Sequence, residues 1–263
     1  MDLSGCSVLV TGATGGIGQA IAERLADAGA RVVVTGRRVE VLEPLAQRIG
    51  GRALGVDLAE RADVERLVAE AGAVDVLVAN AALPGSGRLD EYSVAEVDRV
   101  LDVNLRAPIV LARLLAPGMV QRGSGHLVFV SSLSGKAAAG GQSLYAATKF
   151  GLRGFATSLR ADLRDAGVGV STIFPGFIRD AGMFHESGVK LPAYVGTRTP
   201  GDVAGAVLDA IERDRAEVDV APLGLRAGAT FASVAPELSA RLTRRLGGDQ
   251  IARELAAGQA DKR

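Results

Sequence analysis

The stretch SVLVTGATGGIGQAIAERLADAG, residues 7–29, decides the fold. It opens on Ser7-Val8-Leu9-Val10-Thr11, a continuous apolar run of the kind needed by a strand buried on both faces. The turn Thr11-Gly12-Ala13-Thr14-Gly15-Gly16-Ile17-Gly18 follows, and apolar residues then recur at helical spacing through Ile17, Ile21, Leu25 and Ala28 to a stop at Gly29. Glycines at such a junction let the backbone turn sharply and approach an anion closely. The free N–H groups and positive dipole end of the new helix would then meet a pyrophosphate. The spacing departs from G-x-G-x-x-G, and a tight strand-to-helix connection alone would use the same residues. Its place on the first βα unit favours the dinucleotide.

Outward from this unit the rhythm repeats. Strand-like runs stand at 31–35, 52–56, 74–79, 126–131 and 168–174, with a seventh expected at 216–221. Helical patterns separate them, such as Val64, Leu67, Val68 and Ala71 before Gly72, and one beginning at Thr199-Pro200, where Thr can cap and Pro suits the first turn. Alternating β and α units imply an α/β class, a Rossmann-like doubly wound parallel sheet of about seven strands with helices on both faces. No low-complexity linker interrupts residues 7–221, so residues 1–263 are expected to form one domain. Two segments break the rhythm: a Gly/Pro-punctuated loop at 175–199, and a helical extension over about 225–258 with Leu238, Leu242 and Leu246 on one face. Long loops after the carboxyl end of a strand are where such sheets place ligands.

Composition removes other classes. The chain balances 30 Lys+Arg against 30 Asp+Glu and has no long basic run, so nucleic acid is not an expected partner. No basic segment followed by an apolar stretch opens the sequence, and no run of about 18 uncharged apolar residues occurs, so a cytoplasmic protein without a membrane association is expected. The lone Cys6 and the distant His126 and His185 offer no metal cluster, and no metal is expected.

At the end of the second strand, about 20 residues past the last glycine, an acidic residue usually accepts hydrogen bonds from an adenosine ribose. Gly36-Arg37-Arg38 stand there instead. With no carboxylate to repel a 2′-phosphate and a guanidinium able to grip it, NADP(H) is favoured over NAD(H). Two arginines after a strand could also be no more than a solvated loop. Asp57-Leu58 could fix an adenine amino group and Asn80-Ala81-Ala82 could lie beneath the cofactor, though each could equally cap a helix or turn. Further along, Ser131-Ser132 closes the fifth strand, and Tyr145 and Lys149 share one helix face at i and i+4. An ammonium near a phenol favours the phenolate and would pull its pKa down from about 10 towards the range of an acid/base catalyst.

Together these residues resemble the classical short-chain dehydrogenase/reductase family over about residues 5–221. Its Thr-Gly-x-x-x-Gly-x-Gly turn is met at Thr11, Gly12, Gly16 and Gly18, its Tyr-x-x-x-Lys at Tyr145 and Lys149, its preceding serine at Ser132, its Val-Asn-Leu at Asn104, and its Pro-Gly at Pro175 and Gly176. The resemblance implies an NAD(P)-dependent oxidoreductase, an NADPH-dependent carbonyl reductase or secondary alcohol dehydrogenase. Tyr145 would be acid/base, Ser132 would hydrogen-bond the substrate oxygen, Lys149 would tune the tyrosine and hold the nicotinamide ribose, and Asn104 would support the lysine through a water-linked relay. Cofactor contacts are implied at Gly12, Thr14, Gly15, Gly16, Ile17, Gly18, Arg37, Arg38, Asp57, Leu58, Asn80, Ala81, Tyr145, Lys149, Pro175, Gly176 and Ile178. Substrate contacts are implied at Ser132, Ser134, Gln142, Tyr145 and Phe177. A homodimer or homotetramer is implied through the helices carrying Asn104 and Tyr145, where Ala147, Gly151 and Gly154 would permit close packing.

The sequence departs from the family pattern in four places. Ala79-Asn80-Ala81-Ala82 replaces Asn-Asn-Ala-Gly; Gly15 stands where many NADP users carry a basic residue; Asp180 replaces a threonine that binds the nicotinamide carboxamide; and the C-terminus extends into helices beyond Pro222. The extension weakens an assignment to fatty-acid synthesis. His185 is more simply an exposed loop residue than a substrate contact, and His126 is expected to be structural. Helix 236–246, with arginines around its leucines, reads as a lid or subunit contact before a membrane contact. The alternative from another class is a retired, dinucleotide-binding sensor or scaffold on the same fold.

Overall fold

A computed structural model describes residues 1–192, 195–245 and 248–259. Seven strands, β1 (Ser7–Thr11), β2 (Arg31–Gly36), β3 (Arg52–Gly55), β4 (Val76–Ala79), β5 (Gly125–Val130), β6 (Val168–Pro175) and β7 (Glu217–Val220), form one sheet in the order β3-β2-β1-β4-β5-β6-β7. Every neighbouring pair is parallel, with Thr11 opposite Thr35 and Val8 opposite Val76. The strands lie within two residues of their expected boundaries.

Helices α1 (Gly16–Asp27), α2 (Val39–Arg48), α3 (Arg61–Ala71), α4 (Val94–Leu101), α5 (Ala107–Arg122), α6 (Ser143–Leu163), α7 (Gly182–Glu186) and α8 (Pro200–Glu212) connect or follow the strands. Strand residues point alternately to the two faces. Val8, Val10, Val32 and Val34 pack with Ile21, Leu42, Val203 and Val207 on one face, while Leu9, Val33, Leu77, Leu127 and Phe129 pack with Leu67, Leu111 and Leu152 on the other. That is why the strands read as unbroken apolar runs. Burial of each such side chain is worth roughly 1.5–3 kcal/mol.

Helix α8 begins as its sequence implies. Thr199 N–H donates to Asp202 Oδ2 (2.8 Å), Asp202 N–H donates to Thr199 Oγ1 (3.1 Å), and Pro200 holds the first turn. The extension beyond β7 is three helices, α9 (Leu223–Val234), α10 (Pro236–Arg245) and α11 (Gly248–Ala257). Of the leucine stripe expected on α10, Leu238 is 57% exposed, so at this position the stripe is not a packed face, and Leu246 lies outside the described residues.

The chain leaves β1 for β2 and β3 on one side, then returns past it to β4 on the other. Strand order therefore reverses between β1 and β4, and the crevice beyond their carboxyl ends is where a doubly wound sheet binds its ligand.

Candidate active site

The two strands at this reversal are bolted together by side chains. Thr11 Oγ1 accepts from the N–H groups of Asn80 and Ala81, each at 3.1 Å, and Asn80 Nδ2 donates to the carbonyls of Thr11 (3.0 Å) and Gly12 (3.3 Å). Asn80 thus holds the glycine turn from below. At Gly12 the backbone has φ +70°, and a Cβ there would lie 2.6 Å from Ala81 Cα, so no other residue fits. The turn delivers the chain into α1, whose first N–H groups have no helical carbonyl to meet and whose first turn carries no acidic side chain. A shaped backbone with unmet donors and no opposing charge fits a phosphate anion.

Loop residues after β6 close over this turn. Ala181 lies directly against Gly16, leaving no room there for a Cβ, and Gly182, at φ +84°, approaches Ile17 Cδ1. The neighbouring Asp180 adopts φ +70°, an uncommon conformation for a non-glycine residue, and its carboxylate faces Arg179 at 3.5 Å.

On the adenosine side, Arg37 is exposed, and Arg38 Nη2 donates to the Thr14 carbonyl at 3.0 Å, tying the β2 loop to the glycine turn. Asp57 shows the turn role that was one of its two readings. Its Oδ1 accepts the Ala59 N–H (3.0 Å) and its Oδ2 accepts from Arg99 Nη2 (2.7 Å). Burial works against the charge, yet these donors hold Asp57 below the usual carboxylate value. Leu58 and Ile178 are buried in the two halves of the core, so only their backbones remain to face a ligand. Pro175 pairs with Val220, and Gly176 N–H donates to the Val220 carbonyl at 3.0 Å.

Beyond β5, Ser132 begins a short 3-10 turn, Leu133–Gly135, and its Oγ accepts the Ser134 N–H at 3.1 Å. Ser134 Oγ in turn donates to Gln142 Oε1 (3.1 Å), joining this turn to the start of α6. Tyr145 projects from the first turn of α6 and shares a hydrogen bond with Ser132. One turn on, the Lys149 ammonium is 2% exposed, donates to the Val130 carbonyl (3.0 Å), and lies 5.5 Å from the Tyr145 ring centroid. Ser132, Tyr145 and Lys149 are thus brought together at the carboxyl end of β5.

The expected lowering of the tyrosine pKa is corrected by this geometry. Burial pushes the Tyr145 phenol up to about 12, with the Ser132 hydrogen bond opposing it, and burial brings Lys149 down to about 8. Desolvation outweighs the lysine because the ammonium points at the Val130 carbonyl and itself loses water. Tyr145 is therefore held as a proton donor.

Asn104 lies in a π-helical turn, Asp102–Arg106, and is fully buried. Its Oδ1 accepts the Leu83 N–H (2.7 Å) and its Nδ2 donates to the Leu83 carbonyl (2.9 Å). Both ends of the amide are engaged by Leu83, so the side chain anchors the loop after β4. Phe177 packs on Phe184 of α7 at 5.0 Å between centroids, making an aromatic wall, while His185 is exposed. A shallow opening of about 520 Å³, lined by Gly87, Arg88, Leu89, Asp90, Gly141 and Ser143, lies beside the start of α6.

The model of the short chain dehydrogenase family matches residues 7–191, which contain the glycine turn, Asn104, Ser132, Tyr145, Lys149 and Pro175-Gly176. The chain belongs to the short-chain dehydrogenase family. It is an enzyme, an oxidoreductase, and this family uses NAD(P). The ketoacyl reductase HetN of Nostoc sp. is 37% identical over 83% of this chain and 79% of that protein. The NADP-dependent 3-hydroxy acid dehydrogenase YdfG of Salmonella typhi is 38% identical over 65% of this chain and 72% of that protein. Among solved short-chain dehydrogenases, one from Sphingobium yanoikuyae in complex with NADPH superposes with a TM-score of 0.76 at 29% identity, over 89% of this chain and 95% of that one.

Two site residues had no mark in the sequence. Arg99 and Leu83 contact Asp57 and Asn104 across 42 and 21 positions, and no local motif foretells such pairs. Ala181 is likewise recognisable only from its seat on Gly16.

Proposed function

We propose that this dehydrogenase is an NADPH-dependent carbonyl reductase, running in reverse as a secondary alcohol dehydrogenase. The observation that carries the reading is the convergence of Ser132, Tyr145 and Lys149 beside a helix start fitted for phosphate. NADPH, when bound, supplies the hydride. Ser132 orients the substrate oxygen by hydrogen bonding, and Tyr145 gives that oxygen its proton as negative charge develops there. Lys149, drawn away from Val130 by a ligand, would hold a ribose hydroxyl and restore the proton. Asn104 keeps the loop after β4 in place behind them. Gly12, Thr14, Gly15, Gly16, Ile17 and Gly18 would cradle the pyrophosphate, and Pro175 and Gly176 would border the nicotinamide.

Arg37 supports the choice of NADPH, since it is exposed at the ribose end with no carboxylate beside it in sequence. Relatives named for ketoacyl and 3-hydroxy acid substrates support a carbonyl β to a carboxyl or thioester group, next to Ser134, Gln142 and Phe177. Ala147, Phe150 and Gly154 leave an open outer face on α6, with Phe150 40% exposed, which supports a homo-oligomer through that helix; Gly151 instead meets Leu105 of its own chain. A cytoplasmic location is part of this proposal. The test is NADPH oxidation at 340 nm over ketones, quinones, steroids and β-ketoacyl thioesters. Turnover of one class supports the reading; cofactor binding with no turnover across the panel would leave a dinucleotide-binding sensor or scaffold in its place.

A further inference from the structure

Four residues beyond Ser132 stands Lys136, whose side chain is only 11% exposed. Its Nζ donates to Asp219 Oδ1 at 2.6 Å, lies 3.0 Å from Glu217 Oε2, and sits 4.0 Å from the centre of the Phe174 ring. Arg153 of α6 grips the same Glu217 with Nε (2.7 Å) and Nη2 (3.1 Å). Glu217 and Asp219 belong to β7, and Phe174 is the residue before Pro175-Gly176 on β6. Burial opposes the Glu217 charge, but its Arg153 and Lys136 partners hold it below the ordinary carboxylate value. The Lys136 backbone is held as well: its N–H donates to the Leu133 carbonyl (2.9 Å), and its carbonyl accepts from Ser233 Oγ of α9 (2.9 Å).

An ammonium so placed is costly to bury unless its partners are fixed. Here all of them lie on elements that flank the catalytic turn. Between Ser132 and Lys136 the turn has no slack. Gly135 packs so tightly that a Cβ would fall 2.6 Å from Ser131 Oγ and 2.7 Å from the Lys149 carbonyl. Any shift of Lys136 would therefore pass to Ser132 at one end of the turn and to the Lys149 backbone against its middle.

We propose that Lys136 is a positioning residue for the carbonyl reduction: pinned by Glu217 and Asp219, it fixes the turn that aims Ser132 at Tyr145 and ties that turn to the C-terminal helices. The proposal rests on the reading of Ser132 and Tyr145 given above. It requires no contact between Lys136 and substrate.

The test compares Lys136→Met, Lys136→Arg and the pair Lys136→Met/Asp219→Asn, which removes a buried charge pair together and leaves Glu217 its Arg153 partner. Hydrogen–deuterium exchange of the ligand-free protein is one readout. The amides of residues 134–137 should exchange at least tenfold faster in Lys136→Met and in the pair, β1 and α1 should be unchanged, and Lys136→Arg should restore protection. With NADPH and 2,3-butanedione as the probe substrate, kcat should fall about tenfold while KM for NADPH stays within twofold. In Ser132→Ala the Lys136→Met change should cost nothing further. Unchanged exchange, exchange that rises across the whole sheet, or losses that multiply with Ser132→Ala would each overturn the proposal. Exchange needs no turnover, so a wild-type protein inactive towards every carbonyl would sink the reductase reading while still deciding the role of Lys136.

Discussion

Strands β5 and β6 carry a polar cluster at each end, and the two clusters differ in what their polar atoms have left to do. At the amino end, His126 Nε2 and Ser171 Oγ are 2.8 Å apart, and Ser171 donates to the Arg215 carbonyl at 2.6 Å. Arg160 joins the same corner, with Nη1 and Nη2 donating to the Asp214 carboxylate at 2.7 and 2.8 Å. Every group there closes a link between neighbouring strands or their loops. At the carboxyl end, Lys149 is as deeply buried while Ser132 and Tyr145 are half-buried, and the three are only loosely committed to the protein. Lys149, with three N–H donors, makes a single side-chain hydrogen bond among the described residues, to the Val130 carbonyl. Both ends perturb their titratable groups by burial. What separates a site from a brace is unspent bonding capacity, not perturbation alone.

Substitutions at the two ends should break that symmetry in different measurements. After loss of the Tyr145 hydroxyl itself, the largest effect is expected for Lys149→Met, with kcat for reduction down about a hundredfold and NADPH binding weakened, read by steady-state kinetics and cofactor fluorescence. At the other end, burial lowers the His126 pKa to about 4. The unfolded chain therefore binds an extra proton between about pH 6.5 and 4, and stability should fall as pH drops through that window, by about 3 kcal/mol in all. Denaturant melts of His126→Gln should lose this acid sensitivity while activity at neutral pH stays within twofold; an unchanged acid profile would remove His126 as its source. A smaller effect is expected at Arg37→Asp, where loss of a charge-assisted hydrogen bond should weaken NADPH by about 10- to 100-fold and leave NADH unaffected or improved.

The same contrast explains what could be read in the sequence. The strands and the turn Thr11–Gly18 were legible because burial on both faces, glycine geometry and the i, i+4 pairing of Tyr145 and Lys149 are local constraints. Position after a strand offered Ser131, Ser132 and Ser134 alike, and the resemblance to the family's motif singled out Ser132. The choice between the two readings of Asp57, and the anchoring of the Leu83 loop by Asn104 beside its implied relay role, were not legible because the partners, Arg99 and Leu83, come from remote parts of the chain. Spacing brought Lys149 near Tyr145, but the direction of the tyrosine pKa depended on how much water the fold removes, which no spacing encodes. The C-terminal helices had recognisable periodicity, yet α10 turns Leu238 outward.

Because burial holds the phenol protonated up to about 12, Tyr145 itself should impose no loss on reduction between pH 6 and 9, any decline there following loss of the Lys149 proton near 8, and alcohol oxidation, which needs the phenolate, should accelerate as pH rises. The most direct measurement of Tyr145 as proton donor is the turnover of Tyr145→Phe alongside its NADPH affinity by cofactor fluorescence. The phenyl ring keeps the packing and removes only the proton. NADPH binding within twofold of wild type with kcat reduced about a thousandfold is the expected result; turnover within a few-fold of wild type would contradict it.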